Sequence, residues 1–158
     1  MRGMRTRDPL AHPEAAIRRV YAYVAYRIGP GPAAEDVTSE TMLRAVRYRD
    51  RFDPKKGDPL AWLVGIARTC LADHFARQAE AVPPNAAEPS SQDVETDVVR
   101  RLAVTDAVSR LPERDRELIA LRYGADLGNQ FIARLTGLSV SNVSTILHRA
   151  VQALRARW

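Results

Sequence analysis

Six side chains near the end of the chain, Ser141, Asn142, Ser144, Thr145, His148 and Arg149, are short hydrogen-bonding groups or bases gathered within nine residues. Groups of this kind read nucleic acid. An Asn amide pairs a donor with an acceptor, hydroxyls do both, and Arg grips phosphate. The element that must position them runs from Ser139. There Val140, Val143, Leu147, Ala150, Val151 and Leu154 recur at steps of three and four, a single apolar stripe. With that stripe inward, the six residues face out together with Gln152 and Arg155. Ahead of it, Gln130–Leu135 is a shorter helical run carrying Phe131, Ile132 and Leu135. Thr136-Gly137-Leu138 breaks the run, Gly137 being free to take the left-handed conformation that closes a helix. Ser139 then stands as an N-cap. Two helices joined by such a turn form the helix-turn-helix pattern, whose second helix enters the major groove. An ordinary helical hairpin with a solvated polar face has the same spacing, so this stretch alone leaves both readings open.

Charge is unevenly distributed along the 158 residues. Residues 1–77 carry fourteen Lys/Arg against nine Asp/Glu, residues 78–99 five acids and no base, and residues 100–158 ten bases against five acids. Two basic bodies joined by an acidic strap suggest two surfaces for a polyanion and a connector that it repels. With 46% hydrophobic and 27% charged residues, wholesale disorder is not expected. The lone Cys70 lies in an apolar helical run and reads as a packed core thiol in a reducing cytoplasm. No run approaches the ~18 apolar residues of a membrane span, and no apolar segment follows the basic Met1–Arg7.

The remaining elements are helical, and the fold class is all-α: two small helical domains joined by a flexible acidic linker. Residues 1–12 read as a loose tail. Pro13 to Ile28 reads as a helix with Ile17, Val20, Tyr21, Val24 and Ile28 inward, ended by Gly29-Pro30-Gly31-Pro32. A second helix covers Ala33 to about Tyr48, with Val37, Met42, Leu43 and Val46 inward and Glu35 and Asp36 at the positive end of its dipole. Arg49–Pro59 is a polar connection. A third helix, Leu60 to about Gln78, has Leu60, Leu63, Val64, Ile66, Ala67, Leu71 and Phe75 on its apolar side and Trp62 beside them. These helices make a domain of residues 13–78. Residues 79–98 lose all periodicity and read as the linker, able to reach roughly 65 Å at ~3.3 Å per residue. That approaches two duplex turns of about 34 Å, so both bodies could sit on one duplex. The second domain, residues 99–158, opens with a helix to about Arg110, breaks at Leu111-Pro112, and continues as a helix from Glu113 to Tyr123 with Leu118, Ile119 and Leu121 buried.

Two blocks carry a family resemblance. LPERDRELIALRY followed by IARLTGLSVSNVSTILHRAVQALR resembles the second conserved domain of bacterial extracytoplasmic-function sigma factors, of the sigma-70 family. AAEDVTSETMLRAVRY, then a Phe, then PLAWLVGIARTCLADHFAR, is similar to the first. The match runs in family order over about Ala15–Arg77 and Val99–Arg157. It implies a dissociable subunit of RNA polymerase that directs promoter recognition and initiation. The implied partners are core polymerase (its beta-prime clamp and beta flap), promoter DNA and an anti-sigma factor. By the same resemblance Ala34, Glu35, Asp36, Glu40 and Arg44 would grip the polymerase clamp. Arg49–Arg77 would open the promoter and hold its non-template strand. The chemistry there suits strand holding. Lys55, Lys56, Arg68, His74 and Arg77 offer charge beside Phe52 and Trp62, rings on which unpaired bases can stack, although both rings also suit a core. The duplex-reading set would be Ser141, Asn142, Ser144, Thr145, His148 and Arg149.

The chain departs from the family pattern at several positions. Thr69 stands where the family has Asn, Ser39 and Met42 where Gln and Phe are frequent, and Phe131 where an acid is usual. Ser144, Thr145 and Ile146 replace frequent Lys, Ser and Arg, which removes phosphate-binding charge and predicts an unusual or weakly held upstream promoter box. Asn142 remains a bidentate partner for adenine and Ile146 a partner for a thymine methyl. Two other functions compete: a helix-turn-helix regulator acting without polymerase, and a sequestered interaction protein. An enzyme fits worst, and neither cofactor nor metal is expected. His12, His74, His148 and Cys70 lack metal-ligand spacing, and Gly29–Pro32 lacks the spacing and Lys of a phosphate loop.

Overall fold

A computed structural model describes residues 8–80 and 106–156. Within them every regular element is helical. Residues 1–7 of the tail expected at residues 1–12, the linker from residue 81, the start of the helix expected at residue 99, and residues 157–158 lie outside the described residues. Residues 8–12 are not loose: Leu10 is buried and the Ala11 N–H donates to the Asp8 carbonyl at 3.2 Å.

Helix α1 spans Pro13–Ile28 and α2 spans Pro32–Arg47. Each has a proline in its first turn, where the missing N–H costs nothing. The turn between them depends on two glycines in positive φ, Gly29 at +85° and Gly31 at +134°. The Gly31 N–H donates to the Tyr21 hydroxyl at 3.1 Å, so α1 itself fixes the entry to α2. A 3-10 turn at Arg49–Arg51 follows, then α3 at Pro59–Glu80, which continues two residues past the expected boundary. Residues 106–109 form one helical turn. Helix α4 covers Glu113–Ile119 and runs straight into a π-helical segment, Ala120–Gly124. Helices α5 (Asn129–Thr136) and α6 (Val140–Arg155) complete the order.

The inward faces of α1 and α2 differ from their sequence pattern, and on α3 Phe75, expected inward, is 36% exposed. On α1, Tyr23 is fully buried along with Val20 and Val24, whereas Ile17 is 43% exposed. Tyr23 tolerates burial because its hydroxyl finds a carboxylate across the molecule. On α2 the buried face is a row of small residues, Ala34, Val37, Thr38, Thr41 and Ala45, while Leu43 and Val46 are 62% and 57% exposed. Small side chains let α2 lie close against α1 and α3. The two buried hydroxyls are satisfied by the helix's own carbonyls, Thr38 bonding Ala34 at 2.7 Å and Thr41 bonding Val37 at 2.8 Å.

The helices before residue 80 and those after residue 106 share one apolar core. Val20, Tyr23, Val24, Leu63, Val64 and Leu71 join Leu118, Leu121, Ile132, Val143 and Leu147 in a single cluster. Burial of such side chains stabilises by about 1.5–3 kcal/mol each, before entropy is counted. Cys70 sits in this core, and burial raises its thiol pKa, which matches the inert packed thiol expected.

Candidate nucleic-acid interface

The helix-turn-helix is built locally as its sequence dictates. Gly137 adopts φ +76° and its N–H closes α5 on the Ala133 carbonyl at 2.9 Å. The Ser139 hydroxyl accepts from the Asn142 N–H at 3.1 Å, capping α6. The Asn129 amide donates to the Ser144 hydroxyl at 3.0 Å, tying the first turn of α5 to the second turn of α6. Val143, Ile146, Leu147 and Ala150 are the buried face of α6. Ser141, Asn142, Ser144, Thr145, His148 and Arg149 are all exposed. Not all of them are equally free. Thr145 donates to the Ser141 carbonyl at 3.0 Å, and His148 shares a 3.1 Å hydrogen bond with Gln152. Two expectations need correction. Ile146 is 3% exposed and cannot meet a thymine methyl, and Val140, placed on the inward stripe, is 46% exposed. Residue 146 completes the three-and-four spacing with 143, 147 and 150, a better-facing choice than residue 140 at the helix start.

The expected single-strand set is divided by the fold. Phe52 is 8% exposed, packed against Trp62 with ring centroids 5.5 Å apart at 59°. It is a support for the indole rather than an open platform. Trp62 is half-buried, and Lys55 and Lys56 are exposed. Phe52, Lys56 and Trp62 line a hollow of about 250 Å³ whose opposite wall is Phe131, Arg134 and Leu135 of α5. His74 and Arg77 lie elsewhere. Along α3 they are roughly 18–22 Å from Trp62 at ~1.5 Å per residue. They line a groove with Asp36, Val37, Glu40 and Arg44 of α2.

On α2 the residues expected to dock on a partner are also separated. Glu35 and Asp36 are exposed, but Ala34 is fully buried and makes no outer surface. Its small side chain serves the α2 packing face instead. Arg44 is held by Glu40 at 3.0 Å and by Asp73 of α3 at 2.8 Å. The exposed apolar pair Leu43 and Val46 lies on the same helix, a feature that reading both as core residues had hidden.

Sequence reasoning missed one cluster altogether. The Glu117 carboxylate, on α4, faces two hydrogen-bond donors, Tyr23 and Arg68, and the Arg27 cation as an ion-pair partner. The Tyr23 hydroxyl lies 2.7 and 2.9 Å from its two oxygens, Arg27 Nε 3.0 Å from one, and Arg68 Nε 2.9 Å from the other. Arg68 also donates to the Leu135 carbonyl of α5. Burial, then the charge and hydrogen bond of Glu117, raises the Tyr23 pKa well above the ordinary tyrosine value. The partners stand 49 to 94 residues apart, and no local pattern marks them.

Comparison with known proteins falls on the same two halves. The family described as Sigma-70 region 2 matches residues 14–81, and that described as Sigma-70, region 4 matches residues 101–154. The ECF RNA polymerase sigma factor BldN of Streptomyces coelicolor is 37% identical over 143 residues, covering 85% of this chain and 54% of its own length. The chain thus spans about half of that relative. The ECF RNA polymerase sigma factor SigL of Mycobacterium tuberculosis is 30% identical over 142 residues, covering 86% of this chain and 80% of SigL. In fold, the chain is similar to the sigma factor RpoE solved with the anti-sigma factor NepR from Bartonella quintana. That likeness has a TM-score of 0.68 at 17% identity and covers 89% of this chain and 90% of the other.

Proposed function

Because the chain belongs to the ECF RNA polymerase sigma factors of the sigma-70 family, we propose that it is a dissociable polymerase subunit that selects promoters and starts transcription. In this reading it is a binding protein rather than a catalyst and works in the cytoplasm. Among the described residues no helix is long and apolar enough to cross a membrane. Residues 13–78 dock on core polymerase and hold the opened strand, residues 79–98 connect, and residues 99–158 read duplex upstream. The observation that carries the reading is the pairing of two exposed faces on one chain. One is the polar face of α6, and the other is α2 with Glu35, Asp36, Leu43 and Val46 in solvent.

Each face has its own chemistry. The Asn142 amide and the Ser141 hydroxyl are placed to meet base edges, with Arg149 on phosphate. Leu43 and Val46 supply the apolar centre of a protein interface and the acids its polar rim. Trp62, with Lys56 lining the same hollow and Lys55 exposed next to it in sequence, offers a stacking surface beside charge for an unpaired strand. An anti-sigma protein is a further partner, by analogy with the neighbour solved in such a complex. Run-off transcription with purified core polymerase on a promoter library tests the proposal. Transcripts from a defined promoter subset are expected only when the chain is added. Tight, specific duplex binding by the chain alone, with no stimulated transcripts, would instead support a regulator acting without polymerase.

A further inference from the structure

A hollow of about 900 Å³ lies among α1, α3, α4 and the turn after α5. None of its lining residues belongs to the outer face of α6 or to the exposed face of α2. Arg27 of α1, Arg68 and Phe75 of α3, and Glu113, Arg114 and Glu117 of α4 border it. Its size is that of a small-molecule site, with apolar walls and a few convergent polar groups.

Arg27 is the group that asks for a ligand. Its side chain is only 7% exposed, yet neither Nε nor Nη1 has a hydrogen-bond acceptor. Nε lies 3.0 Å from a Glu117 oxygen without the alignment of a hydrogen bond. Glu117 has little left to give. Both of its oxygens meet the Tyr23 hydroxyl, and one also accepts from Arg68 Nε. Two guanidiniums therefore share one partly buried carboxylate. Glu113 is 3.6 Å from Arg27 Nη2, but its side chain is 80% exposed and water screens the pair. Three arginines against two glutamates leave one positive charge in excess around the hollow. A buried guanidinium short of acceptors is costly, and an oxyanion entering beside it supplies both the acceptor and the charge.

The rest of the hollow suits a flat, hydrogen-bonding body. Phe75 borders it with Leu71, Leu118 and Leu138. The Arg27 Cζ lies 5.5 Å from the Phe75 ring centroid, so an anion held by Arg27 is next to an aromatic surface. The Thr136 hydroxyl donates to the Ile132 carbonyl at 2.7 Å, and the Thr69 hydroxyl to the Gly65 carbonyl at 3.4 Å. With their protons spent on their own helices, both hydroxyls present only lone pairs to a ligand. They fit the N–H groups of a heterocycle.

We propose that this hollow binds a small nucleotide. Its phosphate sits beside Arg27 and Arg114, its base lies against Phe75, and the amino group of the base meets Thr69 or Thr136. A single excess positive charge favours a monophosphate over a triphosphate. The site does not depend on the function proposed above.

The test is isothermal titration of the full chain, without DNA or polymerase, using AMP, GMP and CMP, whose bases all carry an amino group. Adenosine, guanosine, cytidine and inorganic phosphate are titrated in parallel. At least one nucleotide is expected to saturate at one per chain, about tenfold or more tighter than its nucleoside or phosphate alone. Arg114→Ala should weaken it by about fivefold or more, and Thr69→Trp, which fills the hollow from an exposed position, should abolish it. Arg27→Gln should lose about tenfold or more; if this buried change unfolds the chain, as far-UV circular dichroism would show, the two exposed positions decide. Arg149→Ala, on the outer face of α6, should leave binding unchanged. No saturable binding at millimolar nucleotide overturns the site, as does binding that survives Arg114→Ala and Thr69→Trp or that falls in Arg149→Ala. Inorganic phosphate bound as tightly as the nucleotides overturns the placing of a base against Phe75.

Discussion

The Tyr23 hydroxyl lies 2.7 Å from a Glu117 carboxylate oxygen, joining α1 to α4 across 94 residues of chain. Tyr23 is fully buried, so this bond decides whether its hydroxyl is satisfied or stranded. A pH dependence follows from the sign of its shift. In the unfolded chain the tyrosine ionises near its ordinary value of 10.0, whereas in the folded chain ionisation is pushed higher, chiefly by burial and next by Glu117. The unfolded state therefore gives up its proton first. The contribution is fully present below about pH 10 and is lost as pH rises through the raised folded value. Tyr26 is shifted in the same direction by its own burial. Urea melts between pH 8 and 11 are expected to lose midpoint at the alkaline end, and Tyr23→Phe to flatten that loss. An equally steep alkaline limb in Tyr23→Phe would show that another group controls it.

The turn of the helix-turn-helix gives a stability prediction. Gly137 sits at φ +76°, where an L side chain costs about 1–2 kcal/mol, so Gly137→Ala should lower stability by that much. Ser139→Ala removes the cap on Asn142 and should cost ~1 kcal/mol. Thermal melts of both variants measure this. Wild-type stability in Gly137→Ala would mean that the turn adopts another conformation.

These two positions also show what was legible in the sequence. A Gly in the break and a Ser just before a periodic run state their backbone roles through spacing alone, and so do the six outward residues of α6. The inward face of α2 is hidden because periodicity ranks large apolar residues first, while close helix packing there selects Ala34, Thr38, Thr41 and Ala45. Ala34 and Phe52 depart from expectation for related reasons. A small residue inside a polar block looks like surface, and a Phe in a charged loop looks like a platform until a Trp covers it. The Glu117 cluster has no signal at all, because its members pair only through the tertiary fold.

Base reading and phosphate holding should separate on α6. Asn142→Ala is expected to weaken preference for the upstream box by ~1–3 kcal/mol, roughly 5- to 150-fold, with little change in salt dependence. Arg149→Ala should weaken binding evenly across sequences and reduce the salt slope by about 1. Holoenzyme binding to a panel of upstream boxes at several salt concentrations reads both. An unchanged preference in Asn142→Ala would remove its base-reading role.

The exposed apolar pair on α2 is expected to matter for docking and not for folding. Leu43→Asp should alter stability by no more than about 0.5 kcal/mol, since the residue is 62% exposed. Its affinity for core polymerase should fall by about 2 kcal/mol or more, as for a central interface residue. Wild-type affinity in Leu43→Asp would place the docking surface elsewhere.

The most direct test of the whole account is permanganate footprinting of promoter DNA with the purified chain and core polymerase, separately and together. Unpaired thymines are expected just upstream of the start site only when both proteins are present, at promoters the chain itself selects. Absence of strand opening at every promoter, with a chain that is folded and free of inhibitors, would contradict the claim that it is an initiation subunit.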